Sequence, residues 1–96
     1  MSKTPDIEIF YADICGLCHK AMNYFRKRGL PFRTYEVTWD GQAFVDSEHT
    51  RAMYARCGGT VDFVPQMFIN GHHIPGWRKL EPMIHSGELE KILYPS

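Results

Sequence analysis

Asp6-Ile7-Glu8-Ile9-Phe10-Tyr11-Ala12-Asp13-Ile14-Cys15-Gly16-Leu17-Cys18 is the stretch on which the reading of this chain turns. Polar and apolar residues alternate from Asp6 to Ile9 and then run apolar to Ala12, the pattern of a strand entering a covered sheet. From Gly16 onward the period changes. Leu17, Ala21, Tyr24 and Phe25 fall at helical spacings, cations gather at Arg26, Lys27 and Arg28, and Gly29 supplies a C-terminal stop. A C-x-x-C motif therefore sits where a first strand ends and a first helix begins.

Working outward, Pro31 breaks the pattern and Phe32-Arg33-Thr34-Tyr35-Glu36-Val37 alternates again, predicting a second strand parallel to the first because a helix lies between them. Trp39 to Val45 has no clear period and is read as a connection. A second helix, capped by Asp46 or Ser47, runs to about Cys57 and stops at Gly58-Gly59. Gln66-Met67-Phe68-Ile69, Asn70-Gly71 and His72-His73-Ile74 form an antiparallel hairpin, since Asn-Gly accepts the positive φ values of a type I′ turn. Leu80, Met83 and Ile84 and then Leu89, Ile92 and Leu93 make the apolar stripe of a last helix, bent or split at Gly87. The order is β-α-β-α-β-β-α.

The chain has 96 residues, 44% of them apolar, which fits one domain over residues 1–96. Eleven Lys plus Arg balance eleven Asp plus Glu, so no long-range field favours nucleic acid or an anionic membrane. No apolar stretch approaches a membrane span of about 20 residues, and no signal-peptide pattern opens the chain; the expectation is a cytoplasmic monomer. Three cysteines without an export signal make a poor disulfide framework, which points to a redox or metal-binding pair.

Disulfide exchange needs a thiolate. A helix N-terminus offers unpaired N–H groups and the positive end of the helix dipole, which can lower a cysteine pKa from about 8.5 to about 3.5–7.5. Cys15, the outer cysteine, is therefore the expected nucleophile. Residues three apart in a first turn lie on one face with Cβ atoms about 5–6 Å apart, so Cys18 is the expected resolving thiol. Two other chemistries use the same residues. Cys15 to His19 also satisfies C-x-x-C-H, the c-type haem signature, although a preceding strand and the absence of an export signal speak against it. Zinc would draw on Cys15, Cys18, Cys57, His72 and His73, which lack a second regularly spaced pair.

The strand–C-x-x-C–helix start, taken with Phe63-Val64-Pro65-Gln66-Met67-Phe68-Ile69-Asn70-Gly71 and Ile74-Pro75-Gly76-Trp77, resembles the glutaredoxin family over nearly the whole chain. The resemblance implies a thioredoxin-like α/β fold with a four-stranded mixed sheet and three main helices. It also implies thiol–disulfide oxidoreductase activity on protein or glutathione mixed disulfides, with glutathione as co-substrate and no tightly bound cofactor. From the residues alone Pro65 would be an ordinary trans proline opening an edge strand; the resemblance implies a cis bond after Val64, with Val64 gripping the cysteinyl part of the ligand. Gly76 is implied at the γ-glutamyl carboxylate, with Trp77 flanking it or capping the core.

Three departures from the family pattern stand out: Ala12 where a cation usually stands, Pro75 in place of a first glycine, and Arg78-Lys79 where an aspartate is usual. Gly76-Trp77-Arg78 is similar instead to the Gly-Phe-Arg segment of the NrdH-redoxins, relatives reduced by thioredoxin reductase, and this is the alternative reading. A non-enzymatic alternative is an iron–sulfur cluster-binding module.

Six further positions are weighed. Tyr11 either packs under the cysteines or hydrogen-bonds substrate. Cys57 is expected to be a buried small apolar side chain. Arg51 and Arg56 are candidate carboxylate contacts, although helix arginines are usually solvated. His72 and His73, being neighbours on a strand, should face opposite ways.

Overall fold

In the computed structural model, which describes residues 4–95, the chain runs β1 (Ile7–Tyr11), α1 (Gly16–Lys27), β2 (Arg33–Glu36), α2 (Glu48–Cys57), β3 (Gln66–Ile69), β4 (His72–Pro75), α3 (Trp77–Ser86) and α4 (Glu88–Leu93). The sheet order is β2-β1-β3-β4. β1 pairs parallel with β2, as a crossover through α1 requires, and antiparallel with β3; β3 and β4 are the hairpin. Asn70 (φ 49°) and Gly71 (φ 84°) turn it as their sequence demands. β4 is an edge strand, which is why it tolerates Pro75.

Strand alternation sorts the core onto two faces. Ile7, Ile9, Met67, Ile69 and Ile74 face α1, α3 and α4 and pack with Ala21, Phe25, Leu80, Leu89 and Leu93. Phe10 and Phe68 face the other way and pack with Val37, Phe44 and Met53. Phe25 is fully buried, and truncating a phenylalanine in such a setting costs about 3–5 kcal/mol.

The expected α/β, thioredoxin-like architecture is found, with corrections at its margins. The last helix is split at Gly87, as its sequence led us to expect: in the left-handed region (φ 83°) this residue closes α3 and opens α4, which gives four helices among the described residues. β2 is shorter than the alternation suggested, ending at Glu36, although the Val37 N–H still reaches the Tyr11 carbonyl at 2.8 Å. The connection after β2 carries a bridge between Trp39 and Phe44. Of the two candidate caps for α2, Ser47 takes the role, its Oγ accepting the Thr50 N–H at 3.1 Å.

Candidate active site

β1 delivers the chain to buried Ala12, and the Cys15 N–H then bonds the Ala12 carbonyl at 3.0 Å, a tight turn that sets Cys15 as the N-cap of α1. Cys15 has extended backbone (φ −89°, ψ 109°), and its Sγ accepts the Cys18 N–H at 3.1 Å. A sulfur thus does what a serine or aspartate oxygen does at an ordinary cap. All three cysteines are unbridged; Cys15 is partly exposed and Cys18 is 0% exposed. Burial pushes the Cys18 thiol well above its ordinary pKa, and its hydrogen bond to Cys15 pushes it further, against a smaller opposing effect of the Ala12 backbone. The pair is chemically unequal. One sulfur is partly exposed at the positive end of a helix, and behind it lies a buried thiol whose pKa is raised.

A second segment closes over the sulfur. The Val64–Pro65 peptide is cis, as the family resemblance implied, and the Cys15 Sγ lies 3.5 Å from the Val64 carbonyl, to which its thiol donates. The Pro65 carbonyl accepts the Gly76 N–H at 2.8 Å, so the same segment fixes the start of α3. Gly76 (φ 91°, ψ 158°) caps α3 in a conformation that side chains rarely adopt. Trp77 is buried in the core, with the Lys20 ammonium 5.7 Å from its ring centre.

The glutaredoxin family profile matches residues 7–74, which takes in β1, the cysteine pair and the Val64–Pro65 segment. The chain belongs to the glutaredoxin family. It is 31% identical to a probable glutaredoxin of Synechocystis sp., over 98% of this chain and 99% of that one. It is 33% identical to glutaredoxin 3 of Escherichia coli, over 92% and 96%. Among solved structures, a buckwheat glutaredoxin–glutathione complex superposes with a TM-score of 0.70 at 25% identity, covering 93% of this chain and 76% of that one. Thiol–disulfide oxidoreduction is the chemistry of the glutaredoxin family, and the Cys15–Cys18 pair that it needs is present.

Within this glutaredoxin the structure brings together Cys15, Cys18, Val64, Pro65 and Gly76, with Trp77 behind them. Tyr11 lies alongside: it is partly buried against the core and meets the His19 ring edge-on at 6.4 Å. Burial raises its hydroxyl pKa, with Glu36 and Asp13 adding to the effect. His19 is spent on the turn, its Nε2 donating to the Asp13 carbonyl at 2.7 Å.

The arginine candidates are engaged elsewhere. Arg56 pairs with Glu8 at 2.8 Å and stacks over Phe68 at 4.1 Å, on the sheet face away from α1, and Arg51 pairs with Asp46 at 3.4 Å. The zinc donors are not assembled: among the described residues no three such groups are placed to hold a metal ion.

Cys57 corrects the expectation of an inert buried side chain. It is partly exposed, its thiol donates to Gln66 Oε1 at 3.7 Å, and His73 Nε2 lies 3.6 Å from the sulfur. Burial nonetheless raises its pKa, offset in part by Arg56, so the thiol form is favoured. His73 stacks on Phe68 at 4.8 Å and leaves His72 to the other side, as alternation required.

Sequence reasoning passed over Phe63. A Cβ placed on Gly76 would come within 3.2 Å of the Phe63 ring, so this side chain borders the site. The signal was in the sequence, a large aromatic immediately before Val64-Pro65.

Proposed function

We propose that this chain is a dithiol glutaredoxin in which Cys15 attacks and Cys18 resolves. The observation that carries the reading is the inequality of the two sulfurs: Cys15 partly exposed at the N-terminus of α1, and Cys18 buried three residues behind it, its thiol pKa pushed up by that burial. The Cys15 thiolate attacks one sulfur of a substrate disulfide, forming a mixed disulfide and expelling the other sulfur as a thiolate that takes up a proton. Cys18 then attacks the Cys15 sulfur. Its proton passes to the departing substrate thiolate, leaving a Cys15–Cys18 disulfide and a substrate reduced by two electrons. Two glutathione molecules restore the dithiol and become glutathione disulfide. Disulfide-bonded and glutathionylated proteins are the substrates. The buckwheat glutaredoxin–glutathione complex supports glutathione as the partner here, and Gly76, Val64 and Pro65 are the positions that would meet it.

One observation favours a second reductant. Ala12 is buried and apolar, and Arg78 and Lys79 open α3 where a carboxylate would hold an ammonium group, so two charge contacts to glutathione are missing. Exposed ionic contacts are each worth about 0–1 kcal/mol, enough together to weaken glutathione without abolishing its use. Thioredoxin reductase is therefore the alternative electron donor. The test is to follow regeneration of the oxidised protein by glutathione with glutathione reductase, and separately by NADPH with thioredoxin reductase. Turnover with glutathione is the expected result; turnover with the reductase alone would replace glutathione in this scheme.

A further inference from the structure

Three successive carbonyls in the segment beside Cys15 have three different partners. That of Val64 meets the Cys15 sulfur at 3.5 Å. The one before it, of Phe63, accepts a hydrogen bond from the Gln66 side-chain Nε2 at 2.9 Å, and the one after it, of Pro65, accepts the Gly76 N–H at 2.8 Å. Val64 is thus held from both sides with its own carbonyl against the sulfur. The Gly76 tie joins main chain to main chain. The Phe63 tie comes from a side chain, so the residue at one position decides whether it exists.

That side chain is fixed in turn. Gln66 opens β3 on the sheet face of Phe68, away from α1, and has no exposed surface. A buried amide is costly unless both its ends are paired. The Phe63 carbonyl can only accept, so the end facing it is the amino group; the oxygen then faces His73 Nε2 at 2.7 Å and the Cys57 thiol at 3.7 Å. An amide oxygen can only accept, so Nε2 of His73 carries a proton whether the ring is neutral or charged. Burial lowers the His73 pKa and favours the neutral ring, and stacking on Phe68 at 4.8 Å holds it in place. Donor and acceptor therefore run in one direction, from His73 to Gln66 to the Phe63 carbonyl.

We propose that Gln66, oriented by His73, is a positioning residue for thiol–disulfide exchange: by fixing the Phe63 carbonyl it keeps the Val64 main chain aligned with Cys15 for the incoming disulfide. The inference rests on the thiol–disulfide reading above. Neither side chain touches the substrate; both act through the main chain that bounds its approach. Exchange needs the attacking, central and leaving sulfurs in line, so a small displacement of that boundary lowers the rate of exchange more than it lowers the intrinsic reactivity of the thiol.

The test compares two rates in the pre-reduced protein: reduction of a peptide carrying a mixed disulfide with glutathione, and alkylation of Cys15 by iodoacetamide, a small reagent that needs no alignment by Val64. Gln66→Met keeps an unbranched side chain of similar length without the amide. It is expected to slow peptide reduction by about tenfold and to leave Cys15 alkylation within about twofold of the wild type. His73→Phe lies on the edge strand, retains an aromatic ring to stack on Phe68 and loses only the donor. It should slow peptide reduction by about threefold, and cause no further loss when added to Gln66→Met. Should Gln66→Met fail to fold, the two rates in His73→Phe decide alone. Unchanged peptide reduction overturns the proposal, as does an equal fall in both rates, the mark of a residue that merely keeps the protein folded. Additive losses in the double variant remove His73 from it. Failure of the wild type to reduce the peptide would instead overturn the oxidoreductase reading.

Discussion

The sulfur of Cys15 accepts the main-chain N–H of Cys18 at 3.1 Å, while the side chain of Cys18 lies wholly out of solvent. One residue thus holds two relationships with its neighbour: its backbone steadies the outer sulfur and its thiol waits beneath it. In native protein, iodoacetamide is expected to modify Cys15 faster than Cys18 by at least about tenfold, because alkylation needs both access and thiolate. Peptide mapping after brief exposure checks this, and equal labelling of the two would contradict it.

Burial also ties Cys18 to stability. Its pKa is raised above the ordinary value of 9.0, so between that value and the folded one the unfolded chain releases the proton first. The contribution is complete below pH about 9 and is lost as pH rises further. Thermal melts of the reduced protein should therefore show Tm falling on the alkaline side, with a shallower fall for Cys18→Ala; parallel curves for the two proteins would remove Cys18 as the cause.

Gln66 has no exposed surface, yet every polar end of its side chain is used. Its Oε1 accepts from His73 Nε2 at 2.7 Å and from the Cys57 thiol at 3.7 Å, and its Nε2 donates to the Phe63 carbonyl at 2.9 Å. Gln66→Leu keeps most of the volume and strands those partners, so denaturant unfolding should report a loss of about 1–3 kcal/mol. A neutral result would mean that water replaces the amide.

Gly76 stands at the junction of β4 and α3 with φ 91° and ψ 158°, a region held at a cost of about 1–3 kcal/mol by any other residue, and a Cβ there meets the Phe63 ring. Gly76→Ala should lower Tm accordingly and displace Phe63. A crystal structure of that variant with an unchanged ring position would show that the site has more room than the wild-type geometry allows.

Much of this is legible in the sequence. The change of period across Ile9 to Leu17 placed the cysteine pair on a strand-to-helix junction, Asn70-Gly71 fixed the hairpin, and Gly87 marked the break between α3 and α4, because each depends on local chemistry. What depends on distant pairing was not legible. That β1 lies between β2 and β3 follows from sheet order, which period-two alternation does not encode. Phe63 meets Gly76, and Cys57 meets Gln66 and His73, only because the cis Val64–Pro65 segment and the hairpin carry them there. Arg56 read as a candidate ligand contact because its helix leads into that segment; its partner Glu8 sits on the far face of β1.

The most direct test of unequal roles for the two sulfurs is to compare Cys15→Ser with Cys18→Ser on one disulfide substrate, reading turnover and the covalent adduct by mass spectrometry. Cys18→Ser should accumulate a mixed disulfide that maps to Cys15, and Cys15→Ser should form none and lose at least about a hundredfold in rate. Full turnover by Cys15→Ser, or an adduct in Cys18→Ser that maps to Cys57, would contradict the account.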